Sequence, residues 1–195
     1  MQKIYNVELL DYFVIFMVKN LKDTKTEKNL WAAFAGESQA RNKYDYFAKE
    51  FKKSGFVQIA KIFEETALNE KEHAKREFKY LVKLGDLKEH LKAAIDGEHY
   101  EQTHMYPEFA KIAEEEGFSE ISEVFKQIGE AEVAHEKRFN KLLKRVEDGS
   151  MFKENKPIKW KCGNCGYVHE GKTPLKLCPA CAHPQGYFER LAENY

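Results

Sequence analysis

Residues 70–76 read Glu-Lys-Glu-His-Ala-Lys-Arg, and residues 132–138 read Glu-Val-Ala-His-Glu-Lys-Arg. Both stretches carry a Glu-x-x-His pair, Glu70…His73 and Glu132…His135, at an offset of 62 residues. Residues at i and i+3 share a helix face, so each pair can present a carboxylate oxygen and an imidazole nitrogen to one ion. A lone pair of this kind on a charged helix is weak evidence. Glu101…His104 is one, with His104 read as a surface or supporting residue. The register of the other two changes their weight. Tyr44, Phe47, Gly55, Phe56 and Phe63 recur at the same offset as Tyr106, Phe109, Gly117, Phe118 and Phe125. The chain thus holds two copies of one helical hairpin, and solvated faces have no reason to keep ligand-type residues in step.

Periodicity and stop signals delimit four helical runs. The first starts at Thr24 or Thr26, carries Leu30, Phe34, Glu37, Ala40, Tyr44, Phe47 and Phe51 on one face, and stops at Ser54-Gly55. The second covers about 57–84 and ends at Gly85; the third covers about 91–116 and ends at Gly117. The fourth spans about 119–147. Each hairpin alone would leave an apolar face exposed, so the expected fold is mainly α, a pseudo-symmetric four-helix bundle. A bundle site for two metal ions needs carboxylates from the other two helices as well, and Glu37, Glu98 and Glu101 supply them. Gly36 and Gly97 stand just before two of these and suggest close backbone approach. Glu37 to Tyr44 is seven residues but Glu98 to Tyr106 is eight, which predicts a π-type bulge beside Pro107. Carboxylates gathered this way repel strongly at low dielectric unless cations neutralise them.

Residues 151–157 read as a polar linker, and 158–195 lack helical period. This tail holds all four cysteines, as Cys162-x-x-Cys165 and Cys178-x-x-Cys181. Such a short segment needs a metal staple, and two knuckles suit tetrahedral S₄ ligation of zinc or iron, with structural zinc slightly ahead on spacing alone. Gly163, Gly166 and Ala182 are expected to leave N–H groups free toward the sulfurs, and Trp160, Tyr167 and Phe188 to form the small core. His169 and His183 read as surface residues.

Composition narrows the function. Lys+Arg and Asp+Glu both total 32 in 195 residues, which argues against a nucleic-acid or anionic-membrane binder. No stretch is long and apolar enough to span a bilayer, and no signal peptide is read, so a reducing cytoplasm is expected. In that compartment paired cysteines mean metal before disulfides. Residues 1–16 match nothing later and read as an extension of unknown status, with the bundle domain taken as 17–150.

The stretches A-F-A-G-E-S-Q-A-R-N-K-Y, E-T-A-L-N-E-K-E-H-A-K-R, G-E-H-Y-E-Q-T-H-M-Y-P-E-F-A and E-A-E-V-A-H-E-K-R, with C-G-N-C-G-Y and C-P-A-C-A-H-P, resemble the rubrerythrin family. The resemblance implies a ferritin-like diiron bundle followed by a rubredoxin-like domain. By it, Glu37, Glu70, His73, Glu98, Glu101, Glu132 and His135 fall on diiron ligand positions, and Tyr44 and Tyr106 on tyrosines that hydrogen-bond ligand carboxylates. Cys162, Cys165, Cys178 and Cys181 fall on a redox-active Fe(Cys)₄ centre. The implied activity is reduction of hydrogen peroxide, with electrons arriving from NAD(P)H through a rubredoxin or separate reductase, in protection against peroxide. A ferritin-like ferroxidase and a zinc-ribbon helical binding module are the alternatives. The short span between Glu70 and Glu98 adds an expectation from chain length: a homodimer that exchanges hairpins.

Overall fold

The computed structural model describes residues 20–193; the extension read at 1–16 lies outside the described residues. The chain divides after Gly85 into two compact units.

The first unit is a hairpin of α1 (Lys25–Lys53) and α2 (Val57–Leu81). Thr24 is the cap that starts it, its Oγ1 accepting from the Glu27 amide at 3.1 Å. At the turn, Gly55 takes φ +85°, the Phe56 amide donates to Phe51 O and the Gly55 amide to Lys52 O. Ala60, Ala67 and Ala74 form the buried seam, where small side chains let the helices close up. Aromatic rings fill the flanks: Phe51 stacks on Phe63 at 5.4 Å, and Phe34 meets Phe78 at 5.0 Å.

The second unit begins with α3 (Leu87–Tyr100), a π-helical turn at Glu101–Met105, α4 (Tyr106–Glu115) and α5 (Ser119–Glu147). Its turn repeats the first: Gly117 takes φ +85°, and the Phe118 amide donates to Ala113 O. The π turn sits where the extra residue required it. The Tyr106 amide donates to Glu101 O, five residues back, and Pro107 lacks the donor that would restore α geometry. Two helix ends differ from expectation. α2 stops at Leu81, not Leu84, because Val82 turns to extended backbone (φ −127°). α3 starts at Leu87, not Leu91, because Asp86 caps it, accepting from the Lys88 and Glu89 amides at 3.0 and 3.1 Å.

Both hairpins keep apolar side chains exposed at matching places. Phe47, Phe56, Ile59 and Ile62 have their counterparts in Phe109, Phe118, Ile121 and Val124. Neither hairpin completes a core alone. The anticipated close approach at Gly36 and Gly97 is not found among the described residues, where a Cβ at either would meet nothing within 4 Å. Among the glycines within the described helices, Gly129 is the crowded one: a Cβ there would come within 3.3 Å of the Tyr106 side chain.

Beyond α5, β1 (Ile158–Cys162) lies between β2 (Val168–Gly171) and β3 (Phe188–Arg190), antiparallel to both. Trp160, Cys162, Cys178 and Phe188 form its buried core, with Ile158, Leu175 and Cys181 packed against it. Tyr167, expected inside, is exposed: it precedes an edge strand whose outer side faces solvent.

Candidate metal centres

α1 and α2 bring Glu37, Glu70 and His73 together, with one donor atom from each lying within 4.8 Å of the others. His73 Nδ1 is 2.8 Å from Glu70 Oε2 and 3.8 Å from Glu37 Oε2. The second unit repeats the arrangement with Glu98, Glu132 and His135. There His135 Nδ1 is 2.5 Å from Glu132 Oε2 and 3.4 Å from Glu98 Oε2. Each group takes its Glu-x-x-His pair from one helix and a carboxylate from the neighbour, as the shared i, i+3 face dictates. Glu101 lies outside the second group, at the first position of the π turn.

Electrostatics shows what these groups lack. Burial, then a hydrogen bond and the charge of Glu70, push the Glu37 carboxyl above the usual carboxylate range. Burial, then Glu132, do the same to Glu98. Metal-free, the fold therefore loses stability as pH rises through these raised values, and a bound cation removes that penalty. Tyr106 is raised too, by burial and then by the charges of Glu101, Glu132 and Glu98, so its phenol stays protonated and able to donate. Tyr44, its counterpart, packs on Phe63 at 5.7 Å.

The four cysteines form the third group. Cys162 Sγ lies 3.7 Å from Cys181 Sγ, Cys165 Sγ lies 3.6 Å from Cys178 Sγ, and all four sulfurs fall within 4.8 Å of one another. The amides that reach sulfur are those of Tyr167, to Cys165, and His183, to Cys181. The amides expected there are spent elsewhere: Gly163 donates to Tyr187 O, Gly166 to Cys162 O and Ala182 to Cys178 O. Left-handed backbone at Gly166 (φ +79°) and Ala182 (φ +56°) turns each knuckle so that the next amide points inward. The His183 amide lowers the Cys181 thiol to about 6. At Cys165 the Tyr167 amide pulls down, but hydrogen bonds among the sulfurs and burial outweigh it and push the thiol up to about 12. Four thiolates side by side require a cation, and the S₄ set suits iron or zinc.

Residues 28–143 match the family model described as Rubrerythrin, and residues 160–189 the one described as Rubrerythrin, rubredoxin-like domain. The chain belongs to the rubrerythrin family. It is 50% identical to Rubrerythrin-1 of Clostridium acetobutylicum over 195 residues, covering 91% of this chain and all of that one. It is 52% identical to a rubrerythrin of Porphyromonas gingivalis over 192 residues, covering 92% and 96%. A rubrerythrin of Nitratidesulfovibrio vulgaris is 50% identical over 191 residues, covering 91% and 100%. The ferritin-like and rubredoxin-like fold classes read from the sequence are those of this family. Rubrerythrin membership makes the chain a redox protein with diiron and Fe(Cys)₄ domains, and the hard oxygen and imidazole donors with the S₄ set fit two irons plus one. No helix among the described residues is long and apolar enough to cross a membrane.

Sequence reasoning missed Gly129, whose lack of a side chain admits Tyr106. Nothing in its helical surroundings marks it apart from other helix glycines.

Proposed function

We propose that this rubrerythrin is a cytoplasmic hydrogen peroxide reductase fed with electrons through its Fe(Cys)₄ domain. The supporting observation is the pair of matching Glu/Glu/His groups and a four-cysteine site in one chain. When bound, the iron pair supplies the two electrons that cleave the O–O bond, and the Fe(Cys)₄ centre restores them one at a time. The reaction also consumes two protons and yields two waters. Glu37, Glu70, His73, Glu98, Glu101, Glu132 and His135 would hold the pair. Tyr106 holds a proton among the carboxylates and orients them by donating; Tyr44 takes the same role in the first hairpin. Cys165 is the exposed member of the sulfur group, so reductant from a rubredoxin or an NAD(P)H-dependent reductase arrives on its side. Mixing anaerobically reduced protein with one equivalent of peroxide should oxidise the pair within mixing, after which electron loss from the colourless ferrous Fe(Cys)₄ centre should bring up its red ferric colour. Oxidation by dioxygen as fast as by peroxide would turn the reading toward a ferroxidase.

The site, in this proposal, is shared by two chains. In a ferritin-like bundle α2 and α3 run parallel, with Glu70 and Glu98 level. α2 carries the chain about 16 Å past Glu70, and α3 climbs about 16 Å to reach Glu98, so the return spans about 33 Å. Val82–Asp86 is all that connects them, reaching about 20 Å when extended. One chain cannot close its own site. Hairpin α1–α2 of one copy therefore packs on the second hairpin of another, burying the matched exposed apolar faces. Mixing Glu70→Ala with Glu132→Ala chains tests this. The heterodimer should regain about one working site in two, because one site collects both lesions. Continued inactivity after verified subunit exchange would exclude the swap.

A further inference from the structure

The segment between α5 and the small sheet carries an ion cluster that the iron chemistry does not use. Glu154 Oε1 accepts from Arg190 Nε at 2.7 Å and from Arg145 Nη1 at 2.9 Å. Arg145 stands in the last turns of α5, Glu154 in the segment that follows, and Arg190 at the end of β3. Arg190 Nη2 also donates to the carbonyls of Met151 (3.0 Å) and Ser150 (3.3 Å), while its guanidinium lies 5.0 Å over the Trp160 ring. The Glu154 amide donates to Lys172 O at 2.8 Å, just beyond β2. Hydrogen bonds from Arg190 and then Arg145 hold the Glu154 carboxyl below the usual carboxylate range. All three side chains are between a quarter and a third exposed, so the cluster is partly shielded from solvent and screened less than a surface pair.

We infer that Arg190 and Glu154 are positioning residues that lock the four-cysteine domain onto the end of α5, so that segment 151–157 acts as a fixed elbow rather than a tether. Beyond the half-buried Met151 and Phe152, the segment is polar and, Glu154 apart, exposed, and without the cluster the small domain would be freer to pivot on it. With three anchors of different origin meeting at one carboxylate and one guanidinium, rotation requires breaking charge-assisted bonds together. Arg is needed at 190: its fork reaches the carboxylate and two carbonyls at once while its face covers Trp160, which a lysine cannot do. The consequence rests on the proposed function. α5 also carries Glu132 and His135, so the clamp fixes where the Fe(Cys)₄ centre stands relative to the helix that bears these two ligands.

Trypsin on the full-length, iron-loaded protein reads the clamp directly, at the bond after Lys153. Arg190→Met keeps the aliphatic cover over Trp160 and leaves the segment's sequence unchanged. It should be cut at least about tenfold faster than the parent, and Arg190→Lys at an intermediate rate, because cleavage follows the opened population. The Fe(Cys)₄ absorption should be unchanged, which separates a loosened elbow from an unfolded domain. Equal cleavage of parent and Arg190→Met would overturn the clamp, whatever the enzyme's reaction. In prereduced Arg190→Met, peroxide should oxidise the iron pair at the parent rate while the Fe(Cys)₄ centre reoxidises at least about tenfold more slowly. Parent-like reoxidation in a chain that trypsin shows to be loosened would overturn the positioning role alone.

Discussion

Glu132→Ala is expected to lose most of the bundle iron and to lower peroxide turnover by at least about 100-fold, more than the loss of a residue that merely supports a ligand. Glu132 is buried, bonded to His135 and pressed against Glu98, so its removal would leave the group without that carboxylate and without the partner that orients the imidazole. The same change should act oppositely on the metal-free protein. Glu132 is a main cause of the raised Glu98 carboxyl, so deleting it relieves repulsion that no cation offsets. Metal-free Glu132→Ala should melt no lower than the metal-free parent at neutral pH, while iron raises the melting temperature of the parent alone. Iron analysis and paired melting curves check both halves. A variant that binds two irons per site and turns over normally would remove Glu132 from the proposed ligand set. Glu70→Ala should behave alike, being its counterpart in the first hairpin.

Cys162→Ser should abolish turnover with an external reductant while sparing a single oxidation of the prereduced iron pair by peroxide. Cys162 is fully buried and is one of four residues forming the core of the small sheet. A core that small depends on its metal, since binding free energy there is folding free energy. The variant should lose the red colour and admit protease throughout 158–190, with the helices intact. Normal turnover in the uncoloured variant would show that electrons enter elsewhere.

Much of this protein is written in short-range signals. The two Glu-x-x-His pairs sit on one helix face because 3.6 residues make a turn, whatever surrounds them. The π turn follows from a count, eight residues against seven, with Pro107 forbidding an α-helical repair. The cysteine pairs announce a metal through spacing alone. Other features escaped for a common reason. Gly163, Gly166 and Ala182 were natural candidates to meet the sulfurs, yet their amides close the knuckles' own turns and pass the task to Tyr167 and His183. Helix ends near Gly85 shifted because Asp86, not the glycine, decides where α3 begins.

The sequence by itself determined the hairpin repeat, the ligand chemistry and the family. Periodicity, capping and ligand spacing are set by residues a few positions apart. Only the tertiary structure decided which amides reach sulfur, which helix glycine Tyr106 packs against and how Glu154 finds Arg190. Those contacts join residues tens of positions apart. Their geometry exists only once helices and strands have packed, and packing energy, being non-directional, leaves no local pattern from which to read them.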